Sequence, residues 1–355
     1  MAHRPLRIAV VAPPFYRLPP SGYGGVEQVC FLLAEELVGR GHDVTLIGAG
    51  TSPTRARFHA TFPEPQPEYG AGALGADIVH AARSADLIGR LDPDVVHDHS
   101  RLGPLTARSR RSPTVVTVHA PVSGPDSCLD QLAALQHWVH LVAVSRAQRR
   151  LAQELAWTAT VPNGIDVDAF PLATVRDVFL LYLGRLSATK GVHHAIAAAR
   201  ELGRRLVVAG SWTVESEHQY FHDTVAPLLG SGVEWLGEVG RASKIDLLRR
   251  AACLVFPIRW QEPFGMVLIE AMACGTPVAA VALGAVPDLV VDGVTGALCT
   301  EAEQLPAAVQ RAVRLDPAAI RSHVVANFSA DRMADGYERV YRSVLAGWPE
   351  PPNGG

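Results

Sequence analysis

Lysine is almost missing. The chain has two, Lys190 and Lys244, so nearly all of its 32 basic side chains are arginines. With 35 acidic residues the formal net charge is -3, which gives no global reason to expect nucleic acid as a partner. No CxxC pair occurs; Cys30, Cys128, Cys253, Cys274 and Cys299 are widely scattered. They read as reduced, mostly buried thiols of a cytosolic protein. Long apolar runs are absent too: "AACLVFPI" is about eight residues, where a membrane span needs roughly 20. The opening "MAHRPLRIAVVAPPF" has no long apolar core and no cleavage site, so no signal peptide is expected.

What is there reads as soluble and globular: 48% hydrophobic residues and 19% charged. The 355 residues are too many for one compact core, so two domains are expected. Short apolar runs predict strands at "RIAVVA", "DVTLIGA", "DVVHDH", "TVVTVHA", "LVAVS", "VFLLYLG", "RLVVAG", "CLVFPI" and "PVAAVA". Between them lie helix-like stretches, among them "VEQVCFLLAEELVGRG", "HHAIAAARELG" and "KIDLLRRAA". This alternation means parallel sheets with helices on both faces, and it occurs twice. The rhythm breaks at "VPNGIDVDAFPLATVRD", residues 161–177, which marks the junction. The expected domains are 1–165 and 172–328. The tail 329–348 reads as a terminal amphipathic helix and "PEPPNGG" as a frayed end. Two doubly wound α/β domains imply two switch-point crevices at the carboxyl ends of the strands.

The loop "SGYGGVEQ" follows the first strand. A nicotinamide site needs GxGxxG tight against that strand and an acidic residue ending the second. Here "PPFYRLPPS" intervenes, strand two ends "LIGAG", and Asp43 sits at its wrong end. Two readings remain. The glycines serve only a turn, or Gly24 and Gly25 let backbone N–H groups approach a phosphate at a helix N-terminus.

In the second half a strand runs into "LGRLSATKGV". Arg185 and Lys190 are two cations in a crevice loop, which suits a diphosphate. Lys244 lies in a polar helix-like run and reads as solvated. In "QEPFGMVLIEAMACGTPV" Pro263 is a helix-start signal. Glu262 and Glu270 would then stand about 12 Å apart at roughly 1.5 Å per residue. Hydrolytic carboxylate pairs stand about 5 to 9.5 Å apart. The spacing suits instead two hydroxyl anchors on either side of an anion held at the helix N-terminus.

"HDHS" puts His97 and His99 on one face of a strand. With His119 at the end of the next strand, a metal site is conceivable, but no carboxylate set or CxxC completes one. Polar cleft lining is favoured. Of two DxD strings, Asp92 and Asp94 precede a strand, at its far end from the crevice, and Asp166 and Asp168 lie in the junction. "RLGPLTARSRR" carries Arg101, Arg108, Arg110 and Arg111. A solvated helix face is the favoured reading; an anionic membrane surface is the sharper one.

Several of these motifs resemble one family. "EPFGMVLIE" is similar to the E-x7-E signature of the retaining glycosyltransferases of family 4, which have the GT-B fold. "GRLSATKG" resembles that family's diphosphate-binding loop and "VPNGIDVDAF" its interdomain segment. "GYGGVE" resembles its N-terminal glycine loop, and "VTVHA" the strand ending in a sugar-contacting His. "GYGG", "HDHS" and "VSRAQRR" are similar to a branch that includes a glycosyltransferase of avilamycin biosynthesis, a hint of secondary metabolism. The resemblance implies two facing Rossmann-like domains with an interdomain cleft. The second would bind the donor, the first the acceptor, and the last helix would cross back to the first.

Carried over by residue, the resemblance makes Glu262, Arg185, Lys190 and His119 the catalytic set. Glu262 would hold the transferred sugar, Arg185 and Lys190 would neutralise the diphosphate, and His119 would touch the sugar. Glu270 would bind the ribose, and Val239, in "GEVG", would lie beside the base. Phe264, Gly265, Met266 and Val267 would face the phosphates and sugar. Asn163 would support the cleft, and Gly24 and Gly25 would close on the diphosphate. His97, Asp98 and His99 are acceptor-side candidates. No metal is expected, because the cations and the helix dipole replace it. UDP is the first expectation for the nucleotide, with GDP and dTDP as alternatives. The acceptor would be a small molecule, an oligosaccharide or a lipid. The expected place is the cytoplasm, or the periphery of the inner membrane face. Rival readings are a nucleotide-sugar epimerase on the same fold, a metal-dependent hydrolase using His97, His99 and His119, and an inactive binding module.

Overall fold

The nine apolar runs become the central strands of two parallel sheets. In the computed structural model, which describes residues 4–70, 72–173 and 175–348, the first sheet has seven strands. They are β1 (Arg7–Val11), β2 (Asp43–Ala49), β3 (Arg57–Phe62), β4 (Val95–Asp98), β5 (Thr114–Val118), β6 (His140–Ala143) and β7 (Trp157–Thr160). Their order is β3-β2-β1-β4-β5-β6-β7. The second sheet has β8 (Leu180–Leu183), β9 (Leu206–Ala209), β10 (Val233–Trp235), β11 (Cys253–Phe256), β12 (Val278–Val281) and β13 (Gly296–Cys299). Their order is β10-β9-β8-β11-β12-β13. Every pairing is parallel, so each connection is a crossover, and strands covered on both faces read as continuous apolar runs.

The helices that matter for function are α1 (Gly25–Gly39), α2 (Ala73–Leu91), α3 (Val192–Glu201), α4 (Arg241–Arg250), α5 (Met266–Ala273) and α6 (Ala330–Ala346). The chain divides into two compact units. The first runs to Gly164 and takes in the segment from Ala330 onwards; the second is Ile165–Ser329. The junction expected at 161–177 is not a free linker. Phe170 is buried in the second unit, and Arg321 donates to the carbonyls of Phe170 and Val167.

The last helix, α6, is built into the first unit. Tyr337 and Tyr341 are fully buried there, and their hydroxyls meet Thr117 (2.8 Å) and His97 (2.7 Å). Arg40, just past α1, pairs with Asp335 (2.8 Å) and Glu338 (2.5 Å) of α6. "PEPPNGG" lies outside the described residues. The five cysteines are free thiols, four of them buried and Cys128 half-buried. Among the described residues no helix is long and apolar enough to cross a membrane.

In both sheets the strand order reverses direction at one place, between β1 and β4 and between β8 and β11. Loops leaving those four strands diverge and open a crevice at their carboxyl ends. The candidate residues concentrate in those loops.

Candidate active site

In the second unit Arg185 and Lys190 follow β8, and Glu262 follows β11. The switch point brings them together across 72 residues of sequence: Lys190 Nζ lies 2.5 Å from Glu262 Oε2. The Trp260 indole N–H donates to the same oxygen at 2.9 Å, and the ammonium stands 4.9 Å from the Trp260 ring centroid. Arg185 pairs with Glu217 at 3.0 Å, and Glu217 is fixed by the backbone N–H and hydroxyl of Thr213.

Glu262 is held from behind as well. Its carbonyl accepts from Ala285 N at 2.8 Å, and a Cβ at Gly284 would come within 2.3 Å of its backbone nitrogen. Only glycine permits that approach. Helix α5 begins at Met266, with Gly265 at φ 99 as its N-cap and no side chain capping it. Pro263 therefore does not start the helix as expected, and Phe264 is buried against Phe328 rather than being helical. Four of the nine residues from Glu262 to Glu270 are outside the helix, so the 12 Å estimate built on an all-helical segment does not apply. The qualitative layout stands: Glu262 precedes an uncapped helix start and Glu270 follows it, and uncapped N–H groups favour anions.

Glu270 brings the main correction in this unit. Lys244 is not solvated: from the first turn of α4 its Nζ reaches Glu270 Oε1 at 2.6 Å, with 19% of the side chain exposed. Each of the two lysines is thus paired with one glutamate of the motif. Val239 is half-buried in the loop between β10 and α4. Sequence reasoning missed Lys244, Trp260, Glu217 and Gly284. The scarcity of lysine was the one signal that could have found the first of these.

In the first unit Gly24 is the N-cap of α1, at φ 130, and a Cβ there would meet Pro20 Cβ at 2.9 Å and Tyr16 Cγ at 3.1 Å. Its glycine is required by local packing. Gly25 is exposed at the start of α1, which also lacks a side-chain cap. Asn163 is buried, with its Oδ1 unpartnered among the described residues.

The acceptor-side candidates separate. His97 and Asp98 are completely buried and do not line a crevice. Both ring nitrogens of His97 are engaged, Nδ1 with Tyr341 and Nε2 with Thr117, each at 2.7 Å. Asp98 accepts from Ser100 and pairs with Arg110 at 3.1 Å. The Arg110 side chain is itself buried, which corrects the solvated reading at that position alone; Arg101, Arg108 and Arg111 are exposed, with Arg101 over the Phe15 ring and paired with Glu68. His99 Nδ1 lies 2.9 Å from His119 Nε2. Burial lowers the pKa of all three histidines, that of His119 to about 4, so they are neutral at pH 7. They bond to each other and to hydroxyls rather than converging on one point. Among the described residues no group of three His, Cys, Asp or Glu side chains is arranged to hold a metal ion. Of the set, His119 alone is a half-buried rather than a buried residue.

Comparison with known proteins gives these crevices a context. The Glycosyltransferase Family 4 model matches residues 23–169, and the Glycosyl transferases group 1 model matches residues 168–323. The glycogen synthase of Mycobacterium tuberculosis (strain CDC 1551 / Oshkosh) is 29% identical over 98% of this chain and 97% of its own. The D-inositol 3-phosphate glycosyltransferase 1 of Catenulispora acidiphila is 31% identical over 72% of this chain and 73% of its own. Among solved structures, AviGT4, a glycosyltransferase involved in avilamycin A biosynthesis, matches with a TM-score of 0.74 at 27% identity, covering 97% of this chain and 100% of that one. Anabaena Alr3699/HepE, solved with UDP and glucose, shares the fold with a TM-score of 0.75 at 19% identity over 95% of this chain and 100% of its own. With two parallel-sheet Rossmann-like domains and matches along almost its whole length, the chain belongs to the family 4, group 1 glycosyltransferases.

Proposed function

We propose that this enzyme is a retaining glycosyltransferase that moves a sugar from a nucleoside diphosphate sugar to an acceptor hydroxyl, without a metal ion, in the cytoplasm. The observation that carries the reading is the Lys190–Glu262 pair beside the uncapped start of α5, with Arg185 in the same crevice loop. On this reading the donor diphosphate takes over Lys190, and the released Glu262 carboxylate accepts hydroxyls of the sugar. Arg185 and the N–H groups of Gly265, Met266 and Val267 stabilise the charge that grows on the leaving diphosphate. Glu270 binds the ribose. HepE is solved with UDP and glucose, which favours uridine as the base.

Retention is supported by the state of the three candidate bases His97, Asp98 and His119. An inverting enzyme needs a base opposite the leaving group. His97 and Asp98 are sealed in the core, and His119, with a pKa near 4, is a weak base. In same-face attack the leaving phosphate oxygen takes the acceptor proton, and His119 only positions the sugar. A thermal-shift panel of nucleotide sugars identifies the donor. The anomeric coupling of the product, read by NMR, then tests the mechanism. An α-linked donor gives an α-product with the wild type and, more slowly, with His119→Asn. A β-product overturns retention, and no shift with any nucleoside diphosphate overturns the donor assignment.

A further inference from the structure

We propose that Lys244 is a positioning residue that aims Glu270 at a ribose diol, so that the second unit selects ribonucleotide donors over 2′-deoxyribonucleotide donors. The inference rests on the proposed role of Glu270 and narrows it, because dTDP sugars carry no 2′-hydroxyl.

The geometry is specific. Glu270 is 9% exposed at its side chain, and a carboxylate so far out of water needs a cation or several donors. Lys244 supplies the cation at 2.6 Å to Oε1. Among the described residues Oε2 has no hydrogen-bond partner and is not sealed from solvent. The ammonium therefore anchors one oxygen of the carboxylate and leaves the other open.

Lys244 also connects two parts of the proposed site. It sits in the first turn of α4, directly after the loop carrying Val239, and it bonds to a residue in the second turn of α5. An ionised carboxylate with an open oxygen is an acceptor only. A cis diol offers it two O–H donors and a 2′-deoxyribose one. Binding sites built around a ligand hydroxyl penalise the analogue that lacks it, since the protein group is left unpaired.

The test is calorimetric titration of wild type, Lys244→Met and Lys244→Gln. The ligands are UDP, GDP, their 2′-deoxy forms and inorganic pyrophosphate. Wild type should prefer the ribo form by roughly ten- to a hundredfold, the scale of one hydrogen bond to a charged group. In both variants that preference should collapse toward unity while pyrophosphate, which has no ribose, binds as before. Retained preference in a folded variant, or equal ribo and deoxy affinity in wild type, overturns the inference and leaves the donor assignment standing. Wild type that binds none of the nucleoside diphosphates overturns both.

Discussion

Glu27, in the first turn of α1, should weaken the enzyme at neutral pH, and Glu27→Gln should strengthen it. The residue is 3% exposed. Burial pushes its pKa up to about 8, with the Glu68 carboxylate adding to the rise; backbone donors and Arg101 oppose it. The unfolded carboxyl releases its proton near the ordinary value of 4.5. Between those values the native state holds a proton that the unfolded state has lost, so stability falls as pH rises. At about 1.4 kcal/mol per unit, the 2.5 units from 4.5 to pH 7 amount to about 3 kcal/mol. Glutamine keeps the shape and does not titrate. The stability gap between Glu27→Gln and wild type should therefore grow from pH 5 to pH 7 by about 2.5 kcal/mol and level off above pH 8. With a urea slope of roughly 1–3 kcal/mol per molar, the midpoint gap should widen by about 1–3 M. Urea titrations from pH 5 to 8 read this, with hydrogen exchange of β1 and α1 amides assigning the transition to the first unit. A gap that stays flat with pH, or a variant less stable than wild type at pH 8, refutes the reasoning.

Arg185→Ala and Lys190→Ala should each lower turnover by roughly 10²- to 10³-fold, the scale of losing one stabiliser of developing charge; steady-state rates near wild type in both would remove them from the mechanism. Arg110→Met should destabilise the first unit by about 3–5 kcal/mol, because it leaves the Asp98 carboxylate buried without its cation. Urea midpoints measure this, and adding Asp98→Asn should recover part of the loss; a single variant within about 1 kcal/mol of wild type would show that Ser100 alone satisfies Asp98.

Legibility in the sequence followed burial. The nine strands read from apolar runs are the central ones. The four that were missed, β3, β7, β10 and β13, are the four sheet edges. β3 reads "RFHATF" and β7 "WTAT" with one buried residue each, β10 is only "VEW", and β13, though mostly buried, is the short "GALC". Their apolar signal is too weak or too short to stand out from loop. The 19-residue α2 escaped for a related reason. Its buried face includes Asp77, His80 and Ser84 alongside alanines, which blurs the helical periodicity. The resemblance supplied Glu262, Glu270, Arg185 and Lys190, and Lys190 and Glu262 do come together. The burial of His97 and Asp98 was hidden because polar residues on a strand read as cleft lining unless their partners are known. Tyr341, 244 residues from His97, could not be known.

Sequence distance misleads here because a parallel sheet makes every connection a crossover. Neighbouring strands at the switch point are far apart in the chain, so the loops that meet there are drawn from remote segments. Lys190 and Glu262 meet because β8 and β11 are adjacent, with β9 and β10 displaced to the outside. Lys244 reaches Glu270 because α4 and α5, the helices on either side of β11, pack against each other. Both lysine–glutamate contacts therefore depend on strand order rather than on local pattern. A chain with so little lysine still places both of its lysines on buried carboxylates of a single crevice-forming segment. Ionised carboxylates that deep are costly without a cation. The two lysines supply those cations, whereas a solvated surface role for them would leave both glutamates uncompensated.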